Sequence, residues 1–184
     1  MRKDFGVKPW VLPSPVLIIG TYDENDKPNA MNAAWGGTYD FDKVIISVSK
    51  HKSTENIKIH KAFTIGFATK STVIAADYVG IVSGNKEPDK VKKAGLHDIK
   101  SEKVHAPIFE EFPITLECEV DKYDEEEGIL IGNIINVSVD EKYIKDGKID
   151  SEALELIAFD PVSSKYRLVK EEVADAFKCG KEIN

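Results

Sequence analysis

The sequence predicts a mainly β protein, a closed antiparallel barrel with helices on its outside. Two observations lead to this prediction. Short apolar runs separated by polar turns recur through the first part of the chain. Later, one long stretch alternates apolar and polar residues on both sides of an acidic turn, which is typical of an antiparallel hairpin with one buried face. Segments of helical composition between the strands add the flanking helices.

The first part of the chain contains several β-rich segments. Val16–Ile19 is predicted to be a strand, and Asp23–Pro28 is the polar turn that follows it. The next strand is expected within Asn29–Asp40, although this segment is unusually rich in Asn, Ala and Gly. Two further strands are predicted, Lys43–Ser49 and Ala62–Thr69 ("AFTIGFAT").

Helices are expected in three places between or beside these strands. Residues 50–61 switch towards a helical period, with Ser53 or Thr54 as the predicted N-cap. Ser71–Asn85 has helical composition. Glu87–Leu96 has a proline near its start and a glycine at its end, and both residue types are favoured at those positions of a helix.

The second half is more plainly β. Residues 113–144 predict a long antiparallel hairpin around the acidic turn Asp124–Gly128. Residues 146–154 ("DGKIDSEAL") predict a turn and a short helix, and residues 163–169 ("SSKYRLV") a final strand. The tail, residues 170–181, has the composition of a helix.

Length, charge and cysteine content narrow the class of protein. At 184 residues, without internal repeats or long linkers, residues 1–184 are expected to form one domain. A net charge of -7 argues against a nucleic-acid partner. Prolines interrupt the apolar N-terminal region, so a signal peptide is not expected. No segment approaches the unbroken apolar length of a membrane span, so a membrane partner is not expected either. Cys118 and Cys179 have no zinc or disulfide-scaffold spacing, which favours a cytoplasmic location.

The short motifs of several enzyme classes are absent. The sequence has no GxGxxG after a strand, no HExxH and no GxSxG, and Gly80–Lys86 falls short of the phosphate-loop spacing. An anion site remains possible at Ser47–Asn56, where a strand passes three cationic or potentially cationic side chains and enters a helix. Free N–H groups at a helix start, together with hydroxyls and a lysine, bind phosphate well. The alternative for this segment is an ordinary capped surface helix.

The small residues of Asn29–Asp40 raise a second possibility. A strand with so few large side chains gains little from burial, whereas Gly and Ala allow a flat ligand to approach and Asn supplies donors and acceptors. Trp35 is the one large aromatic in the middle of this small-residue run. A flat polar ring with a phosphorylated tail, such as flavin mononucleotide (FMN), would suit this strand beside a phosphate site. The alternative is that Trp35 packs in the core.

Four segments in this order carry a family resemblance: "NAMNAAWGG", "ISVSKHKSTENI", "FTIGFAT" and "SGNKEPDKVKKAGL". Together they resemble the flavin reductase-like proteins with the FMN-binding split barrel, and most of all the flavoredoxin branch. The resemblance extends over nearly the whole chain, as far as the strand of Tyr166. It implies a six-stranded antiparallel split barrel with flanking helices, bound FMN and a homodimer.

The resemblance also implies which residues hold FMN. One group would lie beside the isoalloxazine ring: Asn29, Met31, Asn32, Ala33, Ala34 and Trp35. Ser47, Val48 and Ser49 would follow along the ring and the ribityl chain. Lys52, Ser53, Thr54 and Asn56 would lie near the phosphate. Ser83, Gly84 and Lys90 would form a further arm over the cofactor. No catalytic residue and no metal site are implied.

Three functions are compatible with these residues. The first is an FMN-containing oxidoreductase that passes electrons from NADH, NADPH or a redox carrier to flavin or another acceptor. The second is an electron carrier of the flavoredoxin type with no small-molecule substrate of its own. The third is a barrel that has lost flavin and serves as a binding module. A flavin supplies the redox chemistry itself, so the absence of a recognisable protein nucleophile agrees with the first two.

Overall fold

The computed structural model describes residues 1–183, and its centre is a seven-stranded antiparallel sheet in the order β3-β2-β6-β9-β10-β5-β4. The strands are β1 Ser14–Pro15, β2 Leu17–Tyr22, β3 Pro28–Ala33, β4 Gly36–Asp40, β5 Lys43–Ser47, β6 Ala62–Phe67, β7 Asp98–Lys100, β8 Pro107–Phe109, β9 Ile114–Asp124, β10 Ile129–Val139, β11 Ile144–Lys145, β12 Lys148–Ile149, β13 Ile157–Asp160 and β14 Lys165–Leu168. The helices are α1 Lys52–His60, α2 Val73–Ile81 and α3 Lys90–Lys93, with 3-10 turns at Glu141–Tyr143 and Cys179–Glu182.

The order of the strands requires the sheet to curl into a barrel. β3 and β4 are the two edges of the sheet, yet β3 ends at Ala33 and β4 begins at Gly36. Two edges joined by so short a segment must lie close together, because each residue spans at most about 3.3–3.6 Å. The predicted barrel is therefore confirmed. Its strand count is six when β3 and β4 are taken as one bent strand, and seven when the bend at Ala34 and Trp35 separates them.

The sheet separates the two larger clusters of buried apolar residues, and a third, small cluster consists of Ala62, Val104 and Ala106. Leu17, Ile46 and Leu130 belong to a cluster that draws on most of the strands of the sheet, and this cluster fills the curl. Ile18 belongs to the other larger cluster, which includes Ala76 of α2. Neighbours on a strand point to opposite faces, so consecutive residues of β2 serve both the barrel interior and the layer beneath the helices. α2 and α3 cover the outer side of β3.

The long hairpin predicted from the alternating pattern is confirmed. β9 and β10 pair antiparallel from Ile114 opposite Val139 to Asp124 opposite Ile129. Gly128 has φ 65°, a conformation that glycine adopts without strain, and its carbonyl accepts a hydrogen bond of 2.8 Å from the Val48 N–H. The hairpin is thereby fixed to the end of β5.

The predicted N-cap of α1 is wrong by two to three positions. The structure places His51 at the N-cap, so Ser53 and Thr54 lie inside the first turn. The Thr54 hydroxyl accepts a hydrogen bond from the His51 N–H at 2.9 Å and donates one to the His51 carbonyl at 2.8 Å. Threonine therefore completes the cap from the third helical position rather than from the cap itself.

Two predicted helices near the C-terminus are also wrong. Lys148–Ile149 pairs with Ile144–Lys145 in a small hairpin, because Asp146 and Gly147 both have positive φ, as a two-residue Asp-Gly hairpin turn requires. Residues 150–154 then form turns. In the tail, residues 170–178 are all exposed, and the structure gives them no helix. A short helix with no apolar face to bury is marginal in water.

The helical segment predicted as Ser71–Asn85 contains α2 but is longer than it. α2 ends at Ile81, and turns at Ser83–Glu87 lead towards α3. None of the helices within residues 1–183 has the length and apolar character needed to cross a membrane.

Candidate functional site

A polar cleft of about 190 Å³ lies where β3, the first turn of α1 and the connection from α2 to α3 meet. Eight residues predicted from the sequence line it: Asn29, Met31, Asn32, Lys52, Ser53, Ser83, Gly84 and Lys90. Five others line it as well: His51, Val79, Gly80, Ile81 and Val82. Two segments expected to lie side by side, the Asn/Ala strand and the lysine-rich helix start, are thus brought together.

The helix start supplies hydrogen-bond donors to the cleft. The first N–H groups of a helix have no intrahelical partner, and this applies to Lys52 and Ser53. The buried Ser53 hydroxyl accepts a hydrogen bond of 2.7 Å from Asn29 Nδ2, so its own proton is free to be donated elsewhere. The exposed Ser49 hydroxyl lies 2.9 Å from His51 Nε2 at the same helix end.

The connection from α2 to α3 packs tightly against this group. A Cβ on Gly84 would collide with Asn29 Oδ1 and would lie 3.3 Å from the Lys52 Cβ. A Cβ on Gly80 would lie 2.9 Å from the Asn32 Cβ. The two glycines therefore let this backbone approach β3 and α1 closely enough to form a wall of the cleft.

Lys90 is buried, and its ammonium is already engaged. It donates hydrogen bonds to the carbonyls of Val79 at 3.0 Å and Val82 at 2.9 Å, where α2 ends. Burial lowers the pKa of Lys90 to about 8, because the charged form loses its hydration. The structure thus gives Lys90 a direct role in holding the wall of the cleft in place.

A second set of hydrogen bonds fixes Asn32. Its Nδ2 donates to the Ala76 carbonyl of α2 at 3.1 Å. Nearby, the Tyr166 hydroxyl donates to Asp77 Oδ1 at 2.7 Å. Burial, followed by this hydrogen bond to a carboxylate, raises the pKa of Tyr166 to about 12, so the hydroxyl stays protonated. β3, α2 and β14 are tied together behind the cleft.

The charge of the cleft suits an anion. Within the described chain, no Asp or Glu is among its lining residues, which include the ammonium groups of Lys52 and Lys90 and a helix N-terminus. Lys52 lies 3.6 Å from the Glu24 carboxylate, at the long end of an ion pair. An anion entering the cleft would meet the Ser53 hydroxyl and unpaired backbone N–H groups, both of which bind phosphate in proteins.

The other eight predicted residues lie outside this cleft. Four are buried in the protein: Ala33, Val48, Thr54 and Asn56. Asn56 is the deepest of them, with Nδ2 donating to Thr21 Oγ1 at 3.0 Å and Oδ1 unpaired. Ser47 and Ser49 are exposed where β5 ends. Ala34 and Trp35 face a different opening.

This opening, of about 400 Å³, lies beside the bend between β3 and β4. Ala34, Trp35 and Gly36 line it together with residues of the proline-rich N-terminal arm, Pro9, Val11, Pro13, Ser14 and Pro15. Trp35 is 61% exposed, so it is not a core residue. Its carbonyl accepts a hydrogen bond of 2.7 Å from the Ser47 N–H, which joins the bend to the end of β5.

The five lining residues that the sequence prediction missed fall into two groups. His51 lies inside the lysine-rich segment, and placing the N-cap correctly would have identified it. Residues 79–82 form the C-terminal end of α2. Their mainly apolar composition does not indicate that the backbone of this segment faces a cleft. Gly80 was the available signal, because a glycine inside a helical pattern often marks a close approach.

Comparison with known proteins agrees with this architecture. Residues 11–151 match the family model described as the flavin reductase like domain. The structure is similar to the flavoredoxin of Desulfovibrio vulgaris (Miyazaki F), with 35% identity, a TM-score of 0.92 and coverage of 98% of this chain and 100% of that chain. A flavoredoxin from Methanosarcina acetivorans shows 25% identity and a TM-score of 0.87, covering 100% of this chain and 98% of that one. An uncharacterized protein of Archaeoglobus fulgidus is 30% identical over 130 residues, which is 68% of this chain and 72% of that protein.

The resemblance predicted from the sequence is therefore confirmed. The matched region extends from the N-terminal arm through the barrel and includes the whole of the polar cleft. The chain belongs to the flavin reductase-like domain family.

Proposed function

We propose that this protein binds FMN and works as a flavin-dependent oxidoreductase. The observation that carries the proposal is the polar cleft at the start of α1, in a chain of the flavin reductase-like family. Its donors are a lysine, a serine hydroxyl, asparagine amides and helix N–H groups, and this set fits a phosphate monoester.

The phosphate end of FMN is assigned to this cleft. Lys52 supplies a positive charge, Ser53 a hydroxyl proton, and the first turn of α1 its free N–H groups. The hydrogen bond from Asn29 to Ser53 orients the hydroxyl before the ligand arrives. Ser83 and Gly84 form the facing wall, as the family resemblance implies.

The ring end is assigned to the segment between the cleft and the bend at Trp35. Met31 and Asn32 line the cleft, whereas Ala34 and Trp35 line the second opening, so a ligand lying along this part of the chain would touch both. Ala34 leaves room for a flat ring, and the exposed Trp35 offers an aromatic face. Ser47 and Ser49 at the end of β5 would contact the same ligand.

Bound FMN would accept and donate a hydride or single electrons, and the protein would supply binding and orientation. Asn32 is positioned for orientation because its amide is held by the Ala76 carbonyl. The backbone N–H groups at the start of α1 would donate hydrogen bonds to the phosphate, and the helix dipole would favour its negative charge. Lys90 holds the wall of the cleft through Val79 and Val82 rather than through the ligand.

We also propose that the protein is a homodimer whose interface borders this site. The cleft of about 190 Å³ is below the range of about 300–1,000 Å³ typical of small-molecule pockets. A second copy would enlarge the site by closing over the exposed side of β4, where Trp35, Tyr39 and Phe41 are all exposed. A monomer in light scattering with FMN still bound would contradict this.

The physiological reaction has two candidates. In the first, NADH or NADPH reduces the bound flavin. In the second, the protein exchanges electrons only with redox partners, and the 35% identity and TM-score of 0.92 with a flavoredoxin favour this role. An anaerobic titration with each nicotinamide, followed at the absorbance of oxidised flavin, distinguishes them: rapid bleaching supports the reductase, and bleaching only by a chemical reductant supports the carrier.

Two further assignments accompany this function. Residues 1–184 are proposed to form one domain. The protein is proposed to act in the cytoplasm, since Cys118 and Cys179 are both free thiols and no disulfide links them.

A further inference from the structure

Two histidines and an aspartate converge at the end of α1 away from the FMN cleft. Asp26 lies in the turn between β2 and β3, His60 is the last residue of α1, and His105 lies in the loop between β7 and β8. One potential ligand atom from each side chain lies within 4.8 Å of the other two. Three segments that are distant in sequence thus present imidazole and carboxylate groups to one point.

The turn between β2 and β3 holds both rings. Asp26 Oδ1 lies 2.6 Å from His105 Nε2. The Asp23 carbonyl oxygen lies 2.9 Å from His60 Nε2. A carbonyl only accepts hydrogen bonds, so His60 Nε2 carries the proton, and Nδ1 carries the lone pair when the ring is neutral. A backbone carbonyl in this position is the outer partner that commonly orients a metal-binding histidine.

The two imidazole rings stack on each other. Their centroids are 4.3 Å apart and their planes are inclined by 25°. The stacking holds the two rings side by side, so that both present a ring nitrogen to the same point as the Asp26 carboxylate. Tyr22 packs edge-on against His105 with centroids 5.9 Å apart, which limits the movement of that ring.

The group opens into a wide cleft of about 540 Å³, which leaves room for further ligands. His60 and His105 line this cleft together with Glu102 and Glu119. Two histidines, one carboxylate and an open position form a donor set suited to Zn²⁺ and to other divalent ions that favour imidazole. Lys61, Lys100 and Lys103 line the same cleft, and their charge weakens the attraction for a cation.

We propose that Asp26, His60 and His105 bind a divalent transition-metal ion of the Zn²⁺ type, with water in the open position. The ion would fasten the β2–β3 turn and the β7–β8 loop to the end of α1. The start of the same helix lines the polar cleft, so the metal would brace the helix from the opposite end. The ligand atoms would have to come closer together to bind one ion, and the exposure of Asp26 and the half-burial of both histidines leave these side chains room to rotate.

The test is a calorimetric titration of Zn²⁺ into the flavin-loaded protein after removal of metals by a chelator. We expect one Zn²⁺ per chain and a higher melting temperature with the metal. His60→Gln, His105→Gln and Asp26→Asn should each weaken Zn²⁺ binding by at least about tenfold, the lower end of what loss of even an outer-shell partner costs. Each should also lose the rise in melting temperature.

Two variants serve as controls. His97 Nδ1 lies 2.6 Å from Glu111 Oε1 on another surface, so His97→Gln removes a histidine–carboxylate pair that lacks a second imidazole. Cys179→Ser removes the exposed thiol, which is the other plausible Zn²⁺ ligand. Both should bind Zn²⁺ as the unchanged protein does.

Asp26→Asn is the decisive variant if a histidine variant fails to fold. Asp26 is exposed and has φ 58°, a conformation that asparagine also tolerates. The proposal is overturned if the unchanged protein binds no Zn²⁺, if Asp26→Asn binds it equally well, or if His97→Gln or Cys179→Ser loses it. These outcomes do not depend on the proposed FMN site, which flavin content measures separately.

Discussion

Asn29 Nδ2 donates a hydrogen bond of 2.7 Å to the Ser53 hydroxyl, and both side chains are buried. This bond joins β3 to the first turn of α1 at the floor of the polar cleft. It leaves the Ser53 proton free and places Lys52 beside it. The proposed phosphate site therefore depends on the fold bringing together two segments of the sequence that separately look ordinary.

Replacing Lys52 and Ser53 by alanine should weaken FMN binding more than riboflavin binding, because only FMN carries the phosphate. Loss of a charge-assisted hydrogen bond costs about 1.5–3 kcal/mol, which is roughly a tenfold to hundredfold loss of affinity. Fluorescence titration of the apo-protein with each ligand measures this. Lys50→Ala is the control, because Lys50 is exposed, lies outside the cleft and is 3.4 Å from Glu125. Equal losses of affinity for FMN and riboflavin would show that the phosphate binds elsewhere.

Ala33→Leu and Ala34→Leu should affect different properties of the protein. Ala33 is buried in the barrel core, so Ala33→Leu should overpack it and cost about 1–3 kcal/mol of stability. Ala34 lines the open cavity beside Trp35, so Ala34→Leu should lower flavin content and leave the apo-protein's melting temperature nearly unchanged. Flavin content and melting temperature, measured on both variants, check this. Full flavin occupancy in Ala34→Leu would show that the flavin ring does not lie in this opening.

The buried Lys90 should make stability depend on alkaline pH. Its pKa is about 8 in the folded protein and near the ordinary 10.5 in the unfolded chain. Below pH 8 the cost of burying the charge is fully present. Between these values the unfolded chain holds a proton that the folded chain has released, so the contribution of Lys90 to stability rises with pH, by up to about 1.4 kcal/mol per pH unit.

Urea unfolding of the unchanged protein and of Lys90→Met from pH 7.5 to pH 10 tests this dependence. The free energy of unfolding of the unchanged protein, minus that of Lys90→Met, should increase across the range. Lys92→Met, which changes an exposed neighbour in the same helix, should show a constant difference. A constant difference for Lys90→Met would mean that Lys90 is not desolvated.

The two cysteines should differ sharply in reactivity. Cys118 is fully buried, and burial, with a smaller effect of the Glu117 charge, raises the pKa of its thiol to about 12. Cys179 is exposed. A disulfide reagent at pH 8 should therefore modify one thiol per native chain and two per unfolded chain, and Cys179→Ser should leave none reactive in the native state. Rapid reaction of both thiols in the native protein would disagree with the burial of Cys118.

The parts of the fold that the sequence predicted correctly have strong local patterns. In the β9–β10 hairpin, apolar and polar residues alternate on both sides of an acidic turn, so the alternation and the turn indicate the same structure. The helix predicted for the tail was wrong because the prediction rested on composition alone, and the apolar side chains of residues 170–178 are exposed rather than packed against the protein. The turn at Asp146 and Gly147 was predicted, but the short helix expected after it was wrong, because an Asp-Gly turn is a hairpin signal and Lys148–Ile149 pairs as a strand.

The candidate site was predictable where residue chemistry at a helix start or a family motif marks it. Asn29, Lys52 and Ser53 stand in such motifs, and the structure brings them into one cleft. The burial of Ala33 and the exposure of Trp35 depend on the bend between β3 and β4, which has no clear local signal. His60 and His105 stack through a contact that is distant in sequence, and a single sequence does not reveal such pairs.

The flavin content of the purified protein tests the central claim most directly. The protein is isolated without added flavin, and one portion is denatured at once so that the flavin it retained is identified by chromatography. A second portion is loaded with FMN, and its flavin content is compared with the protein concentration. The prediction is FMN, rather than riboflavin or a dinucleotide, at one molecule per chain after loading, with the absorption spectrum of bound oxidised flavin before release. A protein that folds as described and retains no flavin after incubation with excess FMN would contradict the claim and favour a barrel without a redox function.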